Sequence, residues 1–229
     1  MPHTPPDSSQ IHLLKLFDIL LTHYGPRHWW PGETPFEVCV GAILTQNTNW
    51  GNVEKAIANL KNADRLSVEG MATLAPDQLA ALIRPAGYFN VKAGRLQAFV
   101  RFLQEQQQGS LDQLFSGPWQ ETRNQLLSVK GIGPETADSI LLYAGNKPSF
   151  VVDSYTRRIF SRLRLVEEYC SYDHLRQFFM DCLPHETALF NEYHALIVEL
   201  GKGVCRPKPR CTACCLTGIC AEAALHTTI

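Results

Sequence analysis

The chain has 229 residues, 45% of them hydrophobic and 19% charged, with a formal net charge of −1. So apolar a chain with so little net charge can offset the entropy of ordering, which excludes disorder, and its length allows one large domain or two compact lobes. No apolar run is long enough to span a membrane: Val38 to Leu44 is among the longest and stops at Thr45-Gln46-Asn47. The first ten residues, polar and Pro-rich, read as neither a signal peptide nor a transit peptide. At face value the near-zero charge also argues against a nucleic-acid binder.

Helical periodicity recurs along the whole chain. Leu13, Leu16, Phe17, Leu20, Leu21 and Tyr24 form one apolar stripe at i, i+3, i+4, i+7 spacing. Thr34-Pro35-Phe36-Glu37 reads as a capping box with Pro at the first helical position, opening a helix through Leu44. Further stripes run through Trp50/Val53/Ile57/Leu60, Leu79/Leu82/Ile83, Leu96/Val100/Leu103, Ile140/Leu141/Ala144, Tyr155/Ile159/Phe160/Leu163, Leu175/Phe178/Phe179/Cys182 and Leu189/Tyr193/Leu196/Ile197/Leu200. Breakers at Arg84-Pro85, Gly109-Ser110, Ser116 to Pro118, Gly145 to Pro148, Pro184 and Gly201 separate them. Ser149 to Val152 is the only strand candidate, so the expectation is an all-α fold of about ten short helices.

Charge and cysteine are both unevenly placed. Lys202 to Ala221 holds Lys202, Arg206, Lys208 and Arg210 without an acid, and Arg157 to Arg164 holds four arginines without one. Such runs are either solvated helix surface or faces that phosphates feel despite the neutral average. Of eight cysteines, Cys39, Cys170 and Cys182 lie in or beside apolar helical stretches and read as structural. No secretory signal accompanies them, so a reducing compartment, not a disulfide framework, is expected. Cys205, Cys211, Cys214 and Cys220 have the spacing C-x5-C-x2-C-x5-C, with Cys215 as a spare. Four thiolates suit tetrahedral zinc or a [4Fe–4S] cluster; one close pair within sixteen residues favours a cluster wrapped by a single loop.

Two motifs precede this loop. Val129-Lys130-Gly131-Ile132-Gly133-Pro134 lies between a helix ending near Ser128 and one starting at Pro134, so Gly-Ile-Gly makes a tight hairpin. It reads as an ordinary turn or as a phosphate seat of backbone N–H groups, which needs no side chain. About twenty residues later comes Val151-Val152-Asp153-Ser154-Tyr155, where Asp153 fits a helix N-cap and is equally placed for a catalytic acid.

The order hairpin, Val-Val-Asp, four-cysteine loop resembles the endonuclease III superfamily of helix-hairpin-helix DNA glycosylases. Upstream, Gly41 to Thr48 is similar to the segment bearing that family's DNA-entering Gln, so the likeness runs from about Phe36 to Cys220. The resemblance implies two α-helical lobes with DNA bound across a cleft. One is a six-helix barrel lobe over 28–147 with the helix-hairpin-helix at about 121–145; the other joins 1–27 to 148–229 and ends in the loop 205–220. It further implies Asp153 as the catalytic acid and Gln46 as the plug replacing a flipped base, with Asn47, Gly131, Ile132, Gly133, Thr136, Arg206, Lys208 and Arg210 contacting DNA. Cys205, Cys211, Cys214 and Cys220 then hold a [4Fe–4S] cluster, zinc being the alternative.

Departures from the family pattern sharpen the expected activity. Endonuclease III spaces the first two cysteines one residue further apart, so this loop is shorter. Bifunctional members carry a Lys two residues after the second hairpin Gly; here that position is Glu135, and a carboxylate cannot form the imine of a lyase. Lys130 lies before the hairpin and reads as surface. A monofunctional enzyme follows, with water attacking C1′ while Asp153 stabilises the sugar cation. Trp29-Trp30-Pro31 followed by Leu44-Thr45-Gln46-Asn47-Thr48 resembles the 3-methyladenine DNA glycosylase III branch, which implies a base pocket of Trp29, Trp30, Pro31, Trp50 and Glu135, in keeping with indole faces binding cationic alkylated purines. The alternative for Trp29 and Trp30 is a core anchor near a helix start. Some members of that branch lack the cluster. The expected partner is double-stranded DNA with a damaged base, bound by a cytoplasmic, nucleoid-associated monomer without membrane contact. Alternatives are a glycosylase for oxidised pyrimidines or mismatched T or U, and a non-catalytic DNA-structure binder.

Overall fold

A computed structural model describes residues 8–29 and 32–227. Trp30 and Pro31, expected in the base pocket, lie outside the described residues. The described residues form α1 (Ser8–Tyr24), α2 (Pro35–Leu44), α3 (Trp50–Asn62), α4 (Val68–Ala72), α5 (Pro76–Leu82), α6 (Phe89–Gln106), α7 (Leu111–Phe115), α8 (Trp119–Ser128), α9 (Pro134–Ser139), α10 (Ser154–Arg162), α11 (Tyr172–Cys182), α12 (Thr187–Gly203) and α13 (Ala221–Thr227). The fold is all-α, as the periodicity predicts. The helices beyond the expected ten include α4, α7 and α13, too short to show an apolar stripe. No helix among the described residues is long and apolar enough to cross a membrane.

The chain divides into two compact units, one drawn from Met1–Trp29 with Pro148–Ile229 and the other from Trp30–Lys147. Within the second, α2 is buried along Phe36 to Leu44, as a helix apolar on all sides must be. Thr34 caps it as expected, its Oγ1 accepting the Glu37 N–H at 3.1 Å. The reciprocal half of the capping box does not form. The Glu37 carboxylate instead accepts the Glu33 N–H at 3.3 Å and pairs with Lys61 at 3.0 Å, a stronger partner than a backbone amide. Val53, Leu60, Leu79, Leu96, Phe99 and Leu103 pack with α2 in one continuous core.

The first unit is built on aromatics. Phe150 stacks on Phe179 with centroids 4.1 Å apart, and Phe160, Phe190 and Tyr193 close around them edge-on. The buried Tyr193 hydroxyl donates to the Leu13 carbonyl at 2.9 Å, fastening α1 to α12. Ser149–Val152 is not a strand: among the described residues there is no strand for it to pair with, and it crosses the core as irregular backbone with Phe150, Val151 and Val152 buried.

Gly201 does not break α12 as expected but lies buried inside it, because the helix needs a residue without a side chain there. A Cβ would come within 2.5 Å of Tyr155 Cδ1 and 2.8 Å of its Cβ. Gly201→Ala is therefore expected to destabilise the protein by about 1–3 kcal/mol through overpacking, read as a lowered midpoint in chemical denaturation.

Candidate functional site

The Gly-Ile-Gly hairpin joins α8 to α9 at the predicted positions. Gly131 has φ +92°, a conformation L side chains rarely adopt, and Ile132 is buried with its N–H donating to the Val129 carbonyl at 3.0 Å. That N–H is spent inside the turn, so Ile132 serves the hairpin as an internal brace and not as the expected backbone donor to phosphate. The flanking helices are clamped by a bidentate pair: Arg123 Nε and Nη2 reach the Asp138 carboxylate at 2.8 and 3.0 Å, with Asp138 fully buried.

Gln46 meets the hairpin from the loop after α2. Its Nε2 donates to the Thr136 hydroxyl at 2.8 Å and to the Gly131 carbonyl at 3.2 Å, and its Oε1 accepts from Arg95 Nη1. Thr136 is buried and faces Gln46, so its hydroxyl is engaged inside this unit. Asn47, beside Gln46, is exposed in the left-handed region at φ +54°, which Asn tolerates better than most residues. Below the loop, buried Lys92 donates from Nζ to the carbonyls of Leu44 (2.9 Å) and Ala86 (2.7 Å). Burial, then the charge of Arg95, holds the Lys92 ammonium below its ordinary pKa. Lys92 and Arg95 belong to no sequence motif that singles them out.

Asp153 caps α10. Its Oδ1 accepts the Thr156 N–H at 2.8 Å and the Thr156 hydroxyl at 2.9 Å, while Oδ2 lies 3.6 Å from His194 Nε2. The side chain is 14% exposed. Burial pushes its carboxyl upward, but His194 and the two Thr156 donors outweigh it, holding the group below the usual carboxylate range. The N-cap and acid readings are thus compatible. Sequence reasoning missed His194, a polar residue set in the apolar run of α12.

The four expected ligands Cys205, Cys211, Cys214 and Cys220 line one cavity, together with Arg162 and Arg210. Among the described residues no three His, Cys, Asp or Glu are placed to hold a single metal ion. Arg162 Nη1 donates to Cys205 Sγ at 3.3 Å and to the Arg206 carbonyl at 2.7 Å, and Nη2 donates to Pro207 O at 2.9 Å. Arg158 reaches the carbonyls of Cys205 (2.8 Å) and Gly201 (3.0 Å), and Arg157 the carbonyl of Cys170. Three of the four arginines of 157–164 therefore fasten backbone, a role that neither a solvated helix surface nor a phosphate-facing one anticipates. The buried Tyr24 hydroxyl has no hydrogen-bond partner among the described residues; burial, then nearby Cys215, Cys214, Glu199 and Cys205, pushes it up to about 12. A soft four-thiol donor set around a cavity fits a thiolate-bound group, a [4Fe–4S] cluster or a zinc ion. Arg206, Lys208 and Arg210 are exposed on this loop.

Of the remaining expected pocket residues, Trp29 belongs to the first unit and Trp50 and Glu135 to the second. Trp29 carries the Lys202 ammonium over its ring at 5.3 Å. Trp50 donates its indole N–H to Glu54 at 2.8 Å on the same helix and packs against the core. Glu135 and Lys130 are exposed at the hairpin.

Comparison with known proteins agrees with this arrangement. Residues 40–185, more than half of the chain, match the family model described as HhH-GPD superfamily base excision DNA repair protein. The protein named "Putative DNA repair glycosylase MJ1434" of Methanocaldococcus jannaschii is 47% identical over 91% of this chain and 95% of its own length. Endonuclease III of Thermotoga maritima is 29% identical over 81% and 82%. Among solved structures, H. pylori 3-methyladenine DNA glycosylase (MagIII) bound to 1,N6-ethenoadenine is 33% identical with a TM-score of 0.72, covering 85% of this chain and 97% of that one. A non-covalent endonuclease III–DNA complex, 20% identical, shares the fold at a TM-score of 0.83 over 96% and 99%. Hairpin, capping acid and cysteine loop thus occur together in a chain that belongs to the HhH-GPD superfamily, as a DNA glycosylase of base excision repair.

Proposed function

We propose that the chain is a monofunctional DNA N-glycosylase that removes alkylated purines of the 3-methyladenine kind, carries a [4Fe–4S] cluster, and acts as a cytoplasmic, nucleoid-associated monomer on double-stranded DNA. The observation that carries the monofunctional part is Glu135, an exposed carboxylate where a lyase needs an amine. The likeness to MagIII, solved with an adenine adduct, supports the substrate class. Lys202 over Trp29 is in keeping with it, being a cation already seated on this indole face.

The mechanism follows from the state of Asp153. A carboxylate held below its usual range is a weak base at neutral pH but a permanent negative charge. Its main contribution is therefore electrostatic: it stabilises the positive sugar formed as the C1′–N bond breaks, in a site 14% exposed where charge is poorly screened. Water adds to C1′, its proton passing to Asp153 or solvent, and the base leaves as the free heterocycle. An alkylated purine is already a good leaving group, so one carboxylate suffices.

Cys205, Cys211, Cys214 and Cys220 hold the cluster, which when bound cross-links the C-terminal loop. That loop then presents Arg206, Lys208 and Arg210 to the DNA backbone. Tyr24 supplies a hydroxyl donor beside the cysteines.

Duplex DNA carrying methylated purines tests the activity. The expected products are free 3-methyladenine and an intact abasic strand, with no protein–DNA adduct trapped by borohydride. Strand scission with a trapped adduct overturns the monofunctional assignment. Release of oxidised pyrimidines or mismatched T or U in place of methylated purines overturns the substrate class. Tight binding without release of any base favours the non-catalytic alternative.

A further inference from the structure

Gln46 spends its whole amide inside its own unit. Nε2 donates to Thr136 at 2.8 Å and to the Gly131 carbonyl at 3.2 Å, while Oε1 accepts from the Arg95 guanidinium. Arg95 reaches this position only because Gly131 lacks a side chain: a Cβ on Gly131 would come within 2.3 Å of Arg95 Cγ and 2.9 Å of Cδ. The stem of the loop is fixed separately by Lys92, which bonds the Leu44 and Ala86 carbonyls. The side chain of Gln46 is therefore the part that must move if this loop is to probe DNA.

We infer that Arg95 is a positioning residue that latches Gln46 against the hairpin, so that Gln46 enters DNA only after its bond to the guanidinium is broken. The inference rests on Gln46 being the residue that fills the space of the flipped base. A hydrogen bond from a guanidinium to an amide oxygen is charge-assisted and stronger than a neutral one, so Arg95 is the costliest of the three partners to leave. The latch sets a threshold. An intact, stacked pair offers Gln46 no space that repays the broken bonds, whereas an abasic gap does. Arg95 thereby adds to the discrimination between damaged and intact duplex without touching the reacting base.

The test is affinity for a duplex with a stable abasic analogue and for an intact duplex of the same sequence. Arg95→Met keeps the stem over Gly131 and removes the guanidinium. It is expected to tighten binding to the abasic duplex by about tenfold, the worth of one hydrogen bond to a charged group, and to leave the intact duplex unchanged. Thr136→Val, which removes a different partner, is expected to shift abasic affinity in the same direction. In a Gln46→Ala background the gain from Arg95→Met should vanish. Equal weakening on both duplexes, no change on either, or a gain that persists without Gln46 overturns the latch. If Gln46→Ala alone binds the abasic duplex like the native chain, the plug reading fails instead.

Discussion

Asp153→Asn is expected to slow base release by about 10² to 10³-fold, the range for removing one electrostatic stabiliser of a transition state, while the protein remains folded. Asn supplies the same N-cap oxygen that Asp153 offers to Thr156, so α10 keeps its start. Asp153→Ala removes activity and cap together, adding a stability loss of about 1 kcal/mol. Single-turnover release of methylated base, measured beside thermal melts of both variants, separates the two effects. An Asn variant with native activity would show that the charge is not required. The pH dependence has a definite sign. The carboxyl is depressed in the folded protein. Its stabilisation is therefore full above the unfolded value of about 3.9 and is lost as pH falls through the lower folded value. In Asp153→Asn this acid-side contribution is absent, which acid titrations of native and Asn proteins compare directly.

Loss of the proposed cluster is the second large expected effect. Between Cys205 and Cys220 only Leu216 belongs to the buried core. One buried leucine is worth about 1.5–3 kcal/mol, whereas ordering each residue's backbone costs about 1–2 kcal/mol, so sixteen residues far exceed what it can hold. The carbonyl bonds from Arg158 and Arg162 fasten the start of the loop but not its end. Cys211→Ser, or oxidative removal of iron, is therefore expected to unfold this loop and leave the aromatic core standing. Proteolysis should then cut within Cys205 to Cys220 in the variant only. The salt dependence of DNA affinity should flatten by about 0.9 in logarithmic slope for each phosphate that is no longer bound, up to three for Arg206, Lys208 and Arg210. Native protease resistance and an unchanged slope in an iron-free protein would contradict the proposed cluster.

The helices were legible wherever burial was one-sided. The stripe from Leu13 to Leu20 is buried in α1, and the hairpin falls where two glycines and Pro134 place it. Local chemistry was also legible: Thr34, Asp153 and Gly133 are the N-caps of α2, α10 and α9. What a sequence conceals is the far partner of a charged side chain. Arg158 and Arg162 read as a basic surface because their acceptors are carbonyls more than forty residues away. Lys92 and Arg95 were hidden likewise: the carbonyls that Lys92 bonds belong to the last residue of α2 and to the turn before α6, and Gln46 lies 49 residues before Arg95. The capping box was half right for the same reason, since Lys61 competes for Glu37. Gly201 was misread because packing by Tyr155, and not chain reversal, requires a glycine there.

The discontinuous unit has a consequence for how the chain is made. Residues of Trp30–Lys147 are contiguous, so the hairpin-bearing unit can fold as soon as it leaves the ribosome. The other unit must wait: α1 is synthesised early, but Tyr193, whose hydroxyl anchors it through Leu13, comes 180 residues later. During that interval the stripe of α1 has no permanent cover and is the segment most exposed to chaperones. Asp153 acquires His194 at the same late moment. A truncated nascent chain can therefore present a folded hairpin before Asp153 has met His194, so under the proposed roles the part that holds DNA is made before the part that releases a base.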